Sequence, residues 1–251
     1  MDQKVVYYSD ELNDDFAGVS RDTITIDHNF KYKHSWLWNF FAFILYRIIM
    51  TPVAYFYMKI KFHMKVENAK VLKQGKSESY FMYGNHTQLP GDGYIPTILN
   101  FPKGTFCIVN ADNISLKGTQ TFMTMIGATP LPNQISGMRN FMDYIASKVS
   151  KKKGIAIYPE AHIWPYYTKI RPFKEDSFRF PIMHKTKAFC FTTTYQKRKN
   201  SDKPNITVYV DGPFEADLTL GKKESQKKMR DEIYNTMVQR SKNSTYEYVT
   251  Y

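Results

Sequence analysis

Six short runs rich in β-branched and aromatic residues punctuate residues 79 to 212: "SYFMYGN", "TFCIVN", "GATPL", "GIAIYPE", "AFCFTTTY" and "NITVYVDG". Each is bounded by turn residues, and each reads as a strand. Amphipathic stretches lie between them. The clearest, "GMRNFMDYIASKVSKKKG", puts Met138, Phe141, Met142, Ile145 and Val149 on one helical face and closes on lysines and Gly154. Lysines in a last turn complement the helix dipole, so that basic run has a structural explanation. Strands alternating with helices predict an α/β fold with a mixed or largely parallel central sheet and flanking helices. No internal repeat interrupts the pattern, and 251 residues suffice for one such domain with attachments.

Ahead of this alternation stands the most apolar and aromatic stretch, "WLWNFFAFILYRIIMTPVAYFYM", Trp36 to Met58. It is long enough to span a bilayer, but Arg47 falls at its middle and Pro52 is expected to break it. An arginine at the bilayer centre costs roughly 2.5–3.5 kcal/mol on insertion scales. Lys31 and Lys33 flank the segment on one side and Lys59 and Lys61 on the other, and its aromatic rings suit headgroup depth. The expectation is a bent helical element lying on the membrane rather than spanning it or covering the protein's own core. Three regions follow: a polar N-terminal arm over 1–34, a membrane-associating helical segment over 35–62 and an α/β domain over 63–251.

Charge is unevenly spread. Residues 1–27 hold seven acids against two bases, net −5, which leaves +17 on residues 28–251 of a chain whose total is +12. Basic clusters recur at "KVSKKK", "TKIRPFK", "QKRKN" and "KKESQKKMR". Such a field attracts an anionic membrane surface, phosphorylated substrates or nucleic acid. No nucleic-acid module signature accompanies it, and the strongest aromatic segment is apolar rather than interleaved with basic residues, so no nucleic-acid partner is expected. Cys107 and Cys190 sit in apolar strand-like runs and read as reduced core cysteines of a cytosolic protein. The first residues are polar and acidic, without the pattern of a secretory signal.

Two stretches carry chemistry. In "YGNHTQLPGDGYIP" a strand ends near Gly84, so His86 falls at its carboxyl end, where open α/β sheets place ligand crevices. His86 and Asp92 are open to three readings: a base and its orienter, two metal ligands, or loop residues with Asp92 merely capping a helix. In "IAIYPEAHIWPYYTKIRPFKEDSFRF" a second strand ends at Pro159-Glu160, and Lys169, Arg171 and Lys174 follow before the next helix. A strand end, a carboxylate, cations and a helix start together can hold a phosphate.

"NHTQLPGD", followed about seventy positions on by "YPEAHIW…RPFKEDSF", resembles the 1-acylglycerol-3-phosphate acyltransferase family of glycerolipid acyltransferases over roughly residues 65–215. That family carries Asn-His, four intervening residues and Asp in its first block. A Pro-Glu-Gly-Thr-Arg block comes later, trailed by Pro-Phe-Lys. The resemblance implies a membrane-associated enzyme moving a fatty acyl group from acyl-CoA or acyl-ACP to the hydroxyl of a lysophospholipid such as 1-acylglycerol-3-phosphate. His86 would be general base and Asp92 would fix its tautomer. Asn85, Glu160, Lys169, Arg171 and Lys174 would position the acceptor, with Arg139 standing in for the arginine of an intermediate block. No cofactor and no metal are implied, and the expected location is the cytoplasmic face of the cell membrane, peripheral or monotopic.

This chain departs from the family pattern. Five residues separate His86 from Asp92, so Gly91 stands where the family has aspartate. Glu160 is followed by Ala161, His162 and Ile163 in place of Gly-Thr-Arg, and "AFCFTTTY" lacks the proline of the family's last strand. These departures point to a divergent branch. The rival readings are a metal-dependent hydrolase built on His86, Asp92, Glu160 and His162 and a non-catalytic basic module binding nucleic acid or membrane. The acidic start "DELNDDFAG" is either a capping arm over the basic site face or a solvated tail.

Overall fold

The computed structural model describes residues 4–17, 24–115 and 118–251, so parts of the predicted 1–34 arm lie outside the described residues. In chain order the elements are β1 (Lys4–Val5), the long helix α1 (Trp36–Lys61), β2 (Lys65–Glu67), β3 (Tyr80–Gly84), α2 (Gly91–Leu99), β4 (Thr105–Val109), α3 (Gln120–Met125) and β5 (Ala128–Pro130). They continue with α4 (Met138–Ser150), β6 (Gly154–Ile157), α5 (Arg179–His184), β7 (Lys187–Arg198), β8 (Ser201–Phe214), α6 (Lys222–Ser241) and β9 (Val249–Thr250).

The six predicted runs become β3 to β8. They join β2 in one seven-stranded sheet of order β2-β8-β7-β3-β6-β4-β5. Every neighbouring pair is parallel except the β7–β8 hairpin, so the sheet is mixed and largely parallel as the alternation predicts. The three-residue edge strand β2 was not foreseen, being too short to show a period.

Alternate side chains of β3 feed two cores, because successive residues of a strand point to opposite faces. Phe81 and Tyr83 join Phe141 and Ile145 of α4, Phe180 of α5 and Met229, Ile233 and Met237 of α6. Tyr80 and Met82 join Met58 of α1 and Ile95 of α2. The result is a sheet covered on both faces, which explains why its central strands are apolar throughout. Phe141 and Ile145 of the predicted helical face are fully buried, and Met138, Met142 and Val149 pack beside them. Gly154, expected to close that helix, instead opens β6. Lys152 takes the left-handed turn (φ 56°), and a side chain at 154 would run into the Asn100 amide.

Helix α1 is continuous. Ser35 caps it by accepting the Trp38 N–H at 3.3 Å, and Ile44–Met50 wind as wider π turns. Pro52 does not break the helix, contrary to expectation. It follows directly on the π turns, where the Thr51 N–H reaches Tyr46 O and the regular i−4 ladder that a proline would interrupt is already shifted. Only a narrow stripe is buried, carried by Ala42, Tyr46, Thr51, Ala54 and Met58. The opposite face presents Phe40, Phe41, Ile48 and Phe56 to solvent, between Trp36 at 78% and Ile60 at 72% exposure. Arg47 turns toward the domain, donating to Thr51 Oγ1 at 3.2 Å and Thr97 Oγ1 at 3.1 Å. By length and composition α1 is able to cross a membrane.

The described N-terminal residues are not a free polar tail. Ile26 and Tyr32 are buried in the core above α4, with Ile24 and Phe30 packed against them. Asn133 clamps this segment, accepting from Ile26 N–H at 2.9 Å and donating to Ile24 O at 2.8 Å. Further toward the start, β1 pairs in parallel with β9.

Candidate active site

Parallel pairing brings the two chemistry-bearing blocks together. Tyr83 of β3 lies opposite Ile157 of β6, so Gly84-Asn85-His86 and Tyr158-Pro159-Glu160 leave the sheet side by side. Gly84 has no room for a side chain: a Cβ there would meet the Phe191 ring and Tyr158 Cε1.

His86 Nδ1 stands 2.7 Å from Asp92 Oδ2, and the same oxygen accepts the Gln88 N–H at 2.9 Å. With Asp92 ionised, Nδ1 carries the proton and Nε2 is the free base. The additional spacer residue is absorbed where the loop enters α2. That helix begins at Gly91, and the Asp92 N–H reaches Gln88 O at 2.8 Å. Gly91 fits because a Cβ would collide with Gln88 Cγ at 2.6 Å and Met58 Cε at 2.9 Å. Asp92 is 4% exposed. Burial pushes its carboxyl above the ordinary value, and the His86 and Gln88 donors pull against that rise.

Tyr158, not singled out from sequence, orders the pair. Its ring stacks on His86 at 4.7 Å between centroids, and its hydroxyl donates to Asp92 O at 2.6 Å. The only sequence signal for it was its place at the end of an apolar strand, immediately before Pro159-Glu160.

Glu160 and Arg171 form a second pair of a different kind. Glu160 Oε2 accepts the His86 backbone N–H at 3.2 Å and Oε1 the Arg171 N–H at 3.3 Å. The Arg171 guanidinium lies 3.4 Å from Glu160 Oε2, also donates to His162 O, and stacks 4.9 Å over the Trp164 ring. Both residues are buried, Arg171 at 1% exposure. Burial raises the Glu160 carboxyl, and Arg171 is the largest force opposing it. In this arrangement Arg171 ties the 160–171 loop to Glu160 and does not line the cavity beside His86.

A cavity of about 690 Å³ opens beside His86. Its apolar stretch is walled by Ile108, Val109, Phe122, Met123 and Ile126, and Tyr46 of α1 contributes to the wall. The Tyr46 hydroxyl donates to Thr105 O and accepts from Thr97 Oγ1, each at 2.6 Å, which fixes α1 against the cavity. Lys174, Asp176 and Arg179 line the same cavity.

The other predicted site residues are placed as follows. Asn85 is fully buried, donating to Thr193 O at 3.0 Å and accepting the Thr193 N–H at 2.8 Å, so it pins β3 to β7 rather than facing the cavity. Lys169 and Arg139 are exposed and lie outside the cavity wall. Arg179, outside the sequence expectation, is inside it. Its signal was weak, a single arginine five residues beyond the Lys174 of "RPFK". Cys107 and Cys190 are free thiols. Cys107 faces the cavity, but burial pushes its thiol up to about 12, so it is not a nucleophile at neutral pH.

The residues of the metal reading do not converge. Glu160 is engaged with Arg171, and His162 Nδ1 faces Asp15 Oδ2 at 3.7 Å. Among the described residues, no three His, Cys, Asp or Glu side chains are grouped to hold a metal ion.

No family model matches the sequence, and no curated protein does. Among solved structures, the chain is similar to the crystal structure of the 1-acyl-sn-glycerophosphate (LPA) acyltransferase PlsC from Thermotoga maritima. The TM-score is 0.53 at 15% identity, over 84% of this chain and 95% of that one. At that identity the likeness is one of fold: this chain shares the mixed α/β architecture of a PlsC acyltransferase.

Proposed function

We propose that this protein is a membrane-associated O-acyltransferase that moves a fatty acyl group from a thioester donor, acyl-CoA or acyl-ACP, to the hydroxyl of a lysophospholipid. The observation that carries this reading is the His86–Asp92 pair, 2.7 Å apart at one wall of a cavity with a long apolar side. His86 Nε2 takes the proton of the acceptor hydroxyl as its oxygen attacks the thioester carbonyl. The new C–O bond forms, the C–S bond breaks, and the imidazolium returns the proton to the leaving thiolate. Asp92 holds Nδ1–H and stabilises the imidazolium, while Tyr158 keeps the ring from turning. Lys174 and Arg179 supply the cations for the acceptor phosphate. Glu160 and Arg171 serve as the brace that holds the His86 backbone. No acyl-enzyme and no metal enter the scheme.

The apolar outer face of α1 is the membrane-facing surface. Trp36, Phe40, Phe56 and Ile60 dip into the acyl region, with Lys59 and Lys61 at one end and Lys31 and Lys33 at the other meeting anionic headgroups. The reading places the enzyme as a monotopic protein on the cytoplasmic face, with Tyr46 linking the bilayer-facing helix to the cavity wall.

The experiment is thiol release from acyl-CoA and acyl-ACP with 1-acylglycerol-3-phosphate in detergent, with and without EDTA. Acceptor-dependent release, insensitive to chelator and reduced about 10²–10⁴-fold in His86→Ala, is the expected result. Near-normal turnover in that variant, or loss of activity on chelation, would sink the mechanism.

A further inference from the structure

The acidic start of the chain takes no part in the proton relay, yet it is tied down far more closely than a solvated tail needs to be. Residues Ser9–Asp14 form a turn that satisfies itself. Asp14 Oδ2 accepts the Ser9 N–H at 2.7 Å and the Asp10 N–H at 3.0 Å; Asp10 accepts the Leu12 N–H at 2.8 Å and Asn13 Nδ2 at 2.7 Å. The turn is anchored to the loop after β6. Trp164 Nε1 donates to Asp14 O at 2.8 Å, Phe16 N–H to Ile163 O at 3.1 Å, and Arg171 Nη1 to Glu11 O at 3.2 Å. The Tyr8 and Phe16 rings pack on Trp164 at 4.6 and 5.3 Å. The anchor is one step from the chemistry, since the Trp164 N–H donates to His86 O at 3.1 Å.

This fixed turn delivers Leu12 and Asn13 to the wall of the His86 cavity. Its anchor Arg171 stands three positions before Lys174, a cation of the same cavity wall. Leu12 is an aliphatic side chain with no polar task at that wall. Through Glu11, whose carbonyl accepts from Arg171, the turn meets the chain just before Pro172, Phe173 and Lys174 of that wall. A self-bonded turn holding the 43% exposed Leu12 at its rim limits what the polar part of a substrate can carry.

We propose that the N-terminal arm is a specificity element: the Ser9–Asp14 turn sets the size of the acceptor headgroup, admitting a bare glycerol phosphate and excluding bulkier phosphodiesters. This rests on the acyl-transfer reading of the site. Ile163, in the Ala161-His162-Ile163 stretch where this chain departs from the family pattern, bonds the arm through its backbone in both directions. Its N–H meets Asp15 Oδ1 at 3.3 Å while its carbonyl accepts from Phe16.

The test measures kcat/KM by thiol release for the full-length protein and for Leu12→Gly and Leu12→Trp. The acceptors are 1-acylglycerol-3-phosphate and its phosphoglycerol and phosphocholine diesters. The wild type is expected to favour the monoester over both diesters, since a size wall treats the two alike. The monoester-to-diester ratio falls about 10-fold or more in Leu12→Gly and rises in Leu12→Trp, the scale on which a pocket discriminates by a few methylenes. Circular dichroism checks folding, and if Leu12→Gly unfolds, Leu12→Trp decides alone. A ratio that the folded variants leave unmoved, or a wild type that favours a diester, overturns the proposal and leaves acyl transfer standing. A wild type that transfers to none of the acceptors fails the acyl-transfer reading itself, and the headgroup proposal with it.

Discussion

Two buried carboxylates follow adjacent parallel strands, Asp92 in the first turn of α2 beyond β3 and Glu160 just after β6, at 4% and 3% exposure. Both have a cationic or basic partner, and burial raises both. They differ in what the partner faces. His86 keeps 22% of its side chain accessible and lines the cavity, whereas the Arg171 guanidinium is sealed between Glu160, His162 O and the Trp164 ring. A pair with one open nitrogen is able to move a proton. A pair whose cation is turned away from the cavity is able to hold a loop. Equal burial therefore says little about role; the free lone pair decides it.

The largest effect that would break this contrast is on the sealed pair. Arg171→Ala leaves Glu160 buried without its counter-charge and is expected to destabilise the fold by about 3–5 kcal/mol in denaturant unfolding. A variant that folds normally but raises the acceptor KM would make Arg171 a substrate residue after all. On the open pair the loss should appear in catalysis instead. Asp92→Asn is expected to lower kcat on the order of 10²-fold with the fold retained, because His86 loses its tautomer control. Unchanged kcat would reduce Asp92 to a helix-start residue.

A smaller effect separates the cations. Lys174→Ala and Arg179→Ala should each raise the acceptor KM about 10-fold or more and leave the donor KM alone, as expected for lost charge-assisted bonds. Lys169→Ala and Arg139→Ala should move neither, since both lie off the cavity wall. An equal rise for donor and acceptor would remove the phosphate assignment. The smallest effect is a pH dependence. Burial raises the Asp92 carboxyl, so the native chain holds that proton more tightly than the unfolded one. Its contribution to stability is full below about pH 4 and is lost as pH rises through the raised native value. Asn at 92 does not titrate, so Asp92→Asn should gain thermal stability relative to wild type as pH rises above about 4. A wild type that instead gains Tm relative to Asp92→Asn as pH rises would contradict the burial argument.

Much of this was legible in the chain. Strand runs such as "YFMYG" and "GIAIY" are continuous and apolar because both faces of a parallel sheet are covered, and turn residues mark where they stop. That placed His86 and Glu160 at strand ends, and local pattern needs nothing more. Helix α4 was readable for the same reason, its 3.6-residue stripe being a local property. Pro52 was misread because its effect depends on the turns before it. Gly154 was misread because Asn100, far away in sequence, occupies the space that a side chain would need.

What the sequence determined by itself, then, was the class of fold, the two chemistry-bearing blocks and the apolar character of residues 36–58. These follow from short-range periodicity and composition. Only the tertiary structure decided which charged groups are free to act. Arg171 and Lys174 are three residues apart and look alike in the chain, yet one is locked under Trp164 and the other lines the cavity. Arg179 came to the same cavity unannounced, packing chose between the two readings of the acidic start, and Asn85 turned to the backbone of β7. Burial and partner choice are set by long-range packing, and a charge's role depends on what surrounds it in space rather than along the chain.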